Sequence, residues 1–250
     1  MGIIYADWPA PVHIIAGVTD RRDGCSDGSF HSNNVALHVE DDVEAVLENR
    51  QLLRTALIQA HDLPSDLPWQ WLNQVHGTAL VEASRDTAQE IPDADACFSA
   101  TENIVCGVMT ADCLPILITD KAGKQVAAIH AGWRSLCFGI IEQTITAMRN
   151  KSGDELLVWL GPAIGPTAFE VGADVLHAFQ RQHCGDLAAQ AFVPQADGKF
   201  LANIYQLARL RLQALGVDRI YGGEYCTVSD EERFFSYRRD GKTGRMVSFI

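Results

Sequence analysis

Three short segments end in side chains that can bind a borderline or soft metal. Asn73-Gln74-Val75-His76-Gly77 closes an apolar stretch on His76. Thr110-Ala111-Asp112-Cys113-Leu114-Pro115 sets Cys113 between two apolar runs, and Ile129-His130-Ala131-Gly132-Trp133-Arg134 closes a third run on His130. Strand ends are where a sheet scaffold presents functional groups. If the three strands are neighbours, two imidazoles and one thiolate converge, and His, His and Cys with a fourth position open is a catalytic zinc set. Zinc held in that way lowers the pKa of a bound water to about 7. The ligands are 37 and 17 residues apart, which matches no compact zinc signature. The same atoms therefore leave a second chemistry open, with Cys113 as a thiolate nucleophile and His130 or His76 as its base. Two histidines rather than one favour the metal.

The residues around these three have readings of their own. Asp112 can orient a His ligand or carry a proton, or it can cap local backbone N–H groups in a turn. Arg134 either faces a pocket or stacks on an aromatic ring. Arg238 and Arg239 follow Phe234, Phe235 and Tyr237. On a strand they face opposite sides, so at most one points at the site, where its planar fork either holds a phosphate or forms a surface salt bridge. Glu170 reads either as a carboxylate that supports the site residues or, by preference, as a helix-start carboxylate. The eight histidines include no His-x-His pair, which leaves room for one mononuclear site and not for a multicopper cluster.

The elements that must hold these groups are legible as periodicities. Val12–Val18 reads as a buried strand, and 19–34 as a polar loop. Asp41–His61 reads as a helix, opened by acidic residues and continued by Val43, Val46, Leu47, Leu53 and Leu57. Trp69, Trp71, Asn73 and Val75 fall on one face of a strand. Ile104–Thr110, Leu114–Thr119 and Val126–His130 are strands, the last two joined as a hairpin through Asp120-Lys121-Ala122-Gly123. Helix 135–150, strand Leu156–Leu160, a rigid Gly/Pro turn over 161–166, and helices Ala173–His183 and Ile204–Leu215 follow. Helices do not alternate regularly with strands, which favours a mixed α+β fold over a doubly wound sheet.

The 250 residues have 47% hydrophobic and 21% charged side chains, the balance of a globular chain with a full core. The net charge of −12 argues against nucleic acid or anionic membrane as a partner. No apolar run reaches the roughly 18 residues that a transmembrane helix needs. No signal peptide is evident. The seven cysteines, odd in number and without Cys-x-x-Cys, read as reduced thiols of a cytoplasmic protein, most of them in the core.

The strings NQVHG, TADCLPI, HAGWRS, WLGPAIGPTAFEVG and FFSYRRDGKTGR occur in this order. Together they resemble the YfiH-type family, often labelled multicopper polyphenol oxidase or laccase-domain proteins. The resemblance runs from about Gly17 to the C-terminus. It implies a single domain over residues 1–250, built from two packed mixed sheets flanked by helices. It implies a metal, usually zinc with copper as the other candidate, at His76, Cys113 and His130, with Asp112 beside them. Arg21 and Asn34 fall on matching positions of the N-terminal loop, so with Arg134 and Arg238 they are expected to contact substrate or phosphate. Asp23 and Ala36 stand where the family has glycines, so this loop departs from the pattern. The activity implied is a zinc-dependent one on purine nucleosides: phosphorolysis of adenosine, inosine and methylthioadenosine, with adenosine deamination. The alternatives are a copper phenol oxidase, as the label says, and an amidohydrolase acting on a peptidoglycan precursor (a UDP-MurNAc-amino acid). A structural zinc protein would need four ligands, and three are found. The expected partners are a purine nucleoside and phosphate, and the expected state is a monomer or weak homo-oligomer.

Overall fold

The computed structural model describes residues 2–151, 155–182 and 185–250. Two mixed sheets lie face to face. The first has the order β1 (Ile3–Tyr5), β2 (Gly17–Thr19), β14 (Met246–Phe249), β6 (Val105–Thr110), β3 (Trp69–Gln70). The second has the order β13 (Ile220–Gly222), β9 (Leu156–Leu160), β7 (Leu114–Asp120), β8 (Val126–Ala131), β5 (Ala96–Ser99), β4 (Leu80–Glu82). Between them Val18, Cys106, Val108 and Met246 pack with Cys97, Leu117, Ala128 and Trp159. Alternation along each strand serves two cores at once. Leu117 of β7 points between the sheets, while Ile116 and Ile118 point outward to a helical layer. That is why β7 reads as an unbroken apolar run.

Helices cover both outer faces. Leu53 and Leu57 of α1 (Val43–His61) pack on Trp69, Val105 and Phe249 of the first sheet. The side chain of Asp42 caps this helix by accepting the Ala45 N–H at 2.9 Å. On the second sheet, Ile141 and Ile145 of α3 (Ile140–Lys151) and Leu207 and Leu212 of α6 (Ile204–Ala214) cover Ile116, Ile118 and Ile129. A small antiparallel sheet of β10 (Glu170–Gly172), β12 (Lys199–Ala202) and β11 (Phe192–Pro194) adds to the two large ones, with α4 (Ala173–Arg181) and α5 (Gly185–Ala189) nearby.

Several sequence expectations are corrected. The strand expected over Val12–Val18 is only Gly17–Thr19. Pro11 starts a turn there, its carbonyl accepting the Ile14 N–H, and Val12 is fully exposed. The strand of Trp69, Trp71, Asn73 and Val75 stops after Gln70. The helix expected over 135–150 is two helices, α2 (Trp133–Phe138) and α3, broken at Gly139, whose φ of 101° ends α2 in a left-handed turn. Arg238 and Arg239 lie not on a strand but in a short helix, α7 (Tyr237–Asp240), capped by Ser236. The helix expected to reach His183 runs to Arg181, and His183 and Cys184 lie outside the described residues. Cys97, Cys106 and Cys137 are buried as expected, but Cys25 is exposed and Cys226 half-buried.

The packing between the sheets yields a stability expectation. Leu117 is 0% exposed at the centre of that interface. Leu117→Ala removes its contacts from a core that can relax only partly, at a cost of about 2–5 kcal/mol in urea unfolding. A cost below about 1 kcal/mol would contradict a tightly shared core.

Candidate metal centre

Strand register brings two of the three ligands together. The β5–β8 pairing sets Ala96 opposite Ile129, so Asp95, just before β5, lies beside His130. The His130 N–H donates to the Asp95 carbonyl at 2.7 Å. The β7–β8 pairing sets Pro115 opposite His130, which brings Cys113, at the entry to β7, to the same sheet end. His130 has the same strand parity as Ala128, whose side chain lies between the sheets, and it is 3% exposed.

The third ligand, His76, comes from a loop pinned by side chains. The Asn73 amide donates to Asp93 Oδ1 at 2.7 Å. The Gln74 amide clamps Met109 at the end of β6, donating to its carbonyl at 2.7 Å and accepting its N–H at 2.8 Å. The Asp95 carboxylate then accepts the backbone N–H groups of Val75 (3.3 Å), His76 (3.0 Å) and Gly77 (2.6 Å). These bonds hold His76 at φ 59°, in the left-handed region. A side chain there costs roughly 1–2 kcal/mol, and the Asp95 contacts offset it.

The ligand atoms of His76, Cys113 and His130 all lie within 4.8 Å of one another. His76 Nε2 is 3.8 Å from Cys113 Sγ. A tetrahedral ion with Zn–S near 2.3 Å and Zn–N near 2.0–2.1 Å would set those atoms about 3.6 Å apart, so the spacing fits such an ion. The two rings meet edge to face, at 81° and 4.8 Å between centroids. Asp95 Oδ1 accepts the His130 Nδ1–H at 2.7 Å. A carboxylate is acceptor-only in this pair, which leaves Nε2 of His130 as the ligand atom. Gly132 completes the cradle: a Cβ there would fall 2.9 Å from His76 Cδ2 and 3.2 Å from Cys113 Sγ. Among the described residues this is the group of three metal-competent side chains.

The cluster shifts its own proton equilibria. Burial pushes the Cys113 thiol up, but the charge of His130 and hydrogen bonds from both histidines outweigh it and bring it down to about 6. Burial pushes His130 down, but the Cys113 charge and the Asp95 hydrogen bond raise it to about 9. Burial likewise pushes the Asp95 carboxyl up, and the contact with His130 and the N–H groups of Gly77 and His76 bring it below the usual carboxylate value.

The three ligands form one side of a pocket of about 410 Å³. Asp112, Arg134 and Arg238 also line it, together with Trp133, Phe169 and Tyr237. Asp112, at φ 85°, accepts the Thr227 hydroxyl at 2.6 Å on one oxygen and the Arg238 N–H at 2.7 Å on the other. It thereby ties α7 to the Cys113 turn. The exposed Arg134 stacks on Trp133 at 4.3 Å. Arg238 donates to the carbonyls of Ala168 and Glu170, so Glu170 offers its backbone here and opens β10 rather than a helix. Arg239 turns away to the carbonyls of Thr227, Val228 and Phe234.

The structure does not bring Arg21 or Asn34 into this pocket. Arg21 lines a separate surface groove and donates to the carbonyls of His31 and Glu231. Asn34 is fully buried, bonded to Ala36, Asp41 and the Arg245 N–H. Sequence reasoning missed Asp95, Gln74, His38 and Arg245. A signal for Asp95 existed in an acid set directly before an apolar strand, in Asp93-Ala94-Asp95-Ala96. A second cavity of about 440 Å³, lined by Ile14, Leu67, Val126 and Ile250 among others, contains no metal-competent cluster among the described residues.

A family profile described as "Multi-copper polyphenol oxidoreductase laccase" matches residues 15–250. The chain belongs to this family. The purine nucleoside phosphorylase PA4543 of Pseudomonas aeruginosa is 50% identical over 245 residues, 98% of this chain and 96% of its own. The purine nucleoside phosphorylase YfiH of Escherichia coli is 45% identical over 248 residues, 99% of this chain and 98% of its own. Among solved structures, protein NMB0706 of Neisseria meningitidis matches with a TM-score of 0.91 at 46% identity, covering 100% of this chain and 98% of that one. YlmD of Geobacillus stearothermophilus matches with a TM-score of 0.89 at 29% identity, covering 100% and 95%. No described helix is long and apolar enough to cross a membrane.

Two expectations follow from the site. Asp95→Asn keeps the shape but alters the partner of His130 Nδ1, and should weaken metal binding about 10–100-fold in a competitive chelator titration. Metal affinity unchanged within twofold would remove Asp95 from the centre. In metal-free protein the Cys113 thiolate persists down to about pH 6, so its alkylation by iodoacetamide, read by peptide mass, should rise through that pH. An ordinary thiol rises near 8.5. Added metal should protect Cys113, and an ordinary pH profile would contradict the thiolate–imidazolium pair.

Proposed function

We propose that the chain is a zinc-dependent purine nucleoside phosphorylase that accepts adenosine, inosine and methylthioadenosine and also deaminates adenosine. The observation that carries this reading is a three-ligand His/Cys/His cluster that opens on a pocket rich in arginine, in a chain of net charge −12. Relatives at 45–50% identity that bear the phosphorylase name support it. In phosphorolysis, an oxygen of orthophosphate forms a bond to C1′ of the ribose. The N9–C1′ bond breaks, its electron pair leaves on the purine, and the purine is protonated. The products are the free base and ribose 1-phosphate.

The chain's own residues divide this work. His76, Cys113 and His130 would hold the zinc, which would supply a Lewis acid there. Asp95 fixes the tautomer and the ring direction of His130. Trp133, Phe169 and Tyr237 offer flat apolar faces to a purine. Arg134 and Arg238 set positive charge at the wall where an anionic group enters. Asp112 positions the Arg238 segment. On this reading the enzyme works as one domain in the cytoplasm, on small molecules, as a monomer or weak homo-oligomer.

Phenol oxidation is favoured by the family description. It is weakened by the donor count: the described residues hold one group of three ligands, whereas a multicopper centre needs several. Zinc itself has no redox chemistry.

One preparation, loaded in parallel with zinc and with copper, separates these readings. The zinc form with adenosine and phosphate should give adenine and ribose 1-phosphate, with some inosine, and should not oxidise a phenol. A zinc form inert on nucleosides, beside a copper form that oxidises the phenol at enzyme-like rates, would overturn the proposal. If both forms are inert, the peptidoglycan-precursor amidase takes its place. Cys113→Ala should lose both metal and phosphorolysis.

A further inference from the structure

Three guanidinium groups line the pocket, against a single carboxylate, Asp112, whose two oxygens both accept hydrogen bonds. The three differ in what their own neighbours leave free. Arg134 is exposed and stacked on Trp133. Arg238 is exposed and held through Nη1 by two carbonyls. Arg245 is half-buried, on the turn that leads into β14. Its backbone N–H donates to Asn34 Oδ1 at 2.9 Å, and Nη1 donates to the carbonyls of Thr243 at 2.8 Å and Gly244 at 3.0 Å. Nε and Nη2 have no protein hydrogen-bond partner among the described residues. One edge of a rigidly anchored fork is therefore left for a ligand.

Burial pushes Arg245 below the usual guanidinium value, and Cys113, Asp112 and Tyr237 offset this only in part. This sets the fork within electrostatic reach of the metal ligands. His38 lines the pocket beside it, held below the usual imidazole value by burial and by the charges of Arg245 and Arg50. Arg50 stands just behind the wall, donating to the Val35 carbonyl at 2.8 Å, reaching Met109 Sδ at 3.8 Å and stacking on Trp71 at 3.9 Å. Neither Arg50 nor Arg245 is ion-paired with a carboxylate among the described residues. Partly desolvated cations without a carboxylate partner are costly, and a bound multivalent anion offsets that cost.

We propose that Arg245, flanked by His38 and backed by Arg50, is the seat of the orthophosphate co-substrate. This rests on the phosphorolysis reading above. It moves the phosphate from the mouth arginines, Arg134 and Arg238, to the half-buried side of the pocket. A guanidinium fork grips two phosphate oxygens side by side and leaves a third directed at C1′. Attack by that oxygen forms the C–O bond as the N9–C1′ bond breaks, with the electron pair and a proton ending on the purine.

The test uses the full-length, zinc-loaded protein with inorganic phosphate as probe. Arg245→Ala should raise the KM for phosphate about 10–100-fold, the loss expected for a charged hydrogen-bond pair, with the KM for adenosine within about threefold. Arg245→Lys, a point charge without the fork, should fall between. Calorimetric titration of phosphate into wild type and variants gives a readout that does not depend on turnover. If wild type binds phosphate, Arg245→Ala does not, and no phosphorolysis occurs, the seat stands and the phosphorylase reading falls. A folded Arg245→Ala that keeps its phosphate KM, while Arg134→Ala or Arg238→Ala raises it, overturns the seat. If Arg245→Ala fails to fold, Arg245→Lys and His38→Gln decide, and phosphate affinity within twofold of wild type in both overturns it. So does a loss confined to adenosine 5′-monophosphate with orthophosphate binding intact.

Discussion

The Asp95 carboxylate, with no side-chain exposure, gathers four donors from two parts of the chain. Nδ1–H of His130 comes across the β5–β8 ladder, and the N–H groups of Val75, His76 and Gly77 come from a loop nearly twenty residues upstream. A buried carboxylate is tolerable only when its lone pairs are filled. Strand register, loop conformation and histidine tautomer are thus conditions on one another. A one-residue slip of β8 would turn His130 to the opposite face of the sheet, leaving Asp95 charged and underbonded. Loss of the loop would release His76 from its left-handed backbone. The site is stiff because its parts satisfy the same charge.

A second carboxylate organises the other side. Asp112 sits one residue before Cys113 with φ 85°, and its two oxygens reach forward to Thr227 and the first turn of α7. The C-terminal segment is thereby fastened beside the metal ligands, which is how Tyr237, Arg238 and Arg245 come to wall the same pocket. Of the two roles open to Asp112 in the sequence, its geometry is that of a residue bonding backbone and hydroxyl donors, though over more than a hundred residues rather than within a local turn.

The parts that the sequence reveals are those whose order is local. Strands β7 to β9 and helices α1 and α6 announce themselves through continuous apolar runs, 3.6-residue spacing and capping acids. The His/Cys/His set is visible because each ligand closes or opens an apolar run. What stayed hidden depends on partners distant in sequence. Residues 73–77 alternate like a strand, yet their conformation is set by Asp93, Asp95 and Met109. Asp95 looks like a turn residue until the register with β8 is known. Arg245 looks like one more surface arginine in a Gly-rich turn, while Arg21 and Asn34, suggested by resemblance, use their donors on the protein's own carbonyls and carboxylates.

The metal and thiolate-nucleophile chemistries share atoms but not geometry. A cysteine nucleophile needs one base within hydrogen-bond reach and an approach for the electrophile. Here a second imidazole stands edge-on to the first, at 4.8 Å between centroids, with its ligand atom also in the cluster. A base pair has no use for that histidine, and its left-handed backbone is a cost the fold bears only because Asp95 holds it. The carboxylate acts through the far nitrogen of His130, which raises the basicity of the near one and aims it at the common point. The thiolate–imidazolium pair that forms without a metal resolves the same constraint in another way: with no cation between the donors, His130 takes up a proton and supplies the positive charge itself.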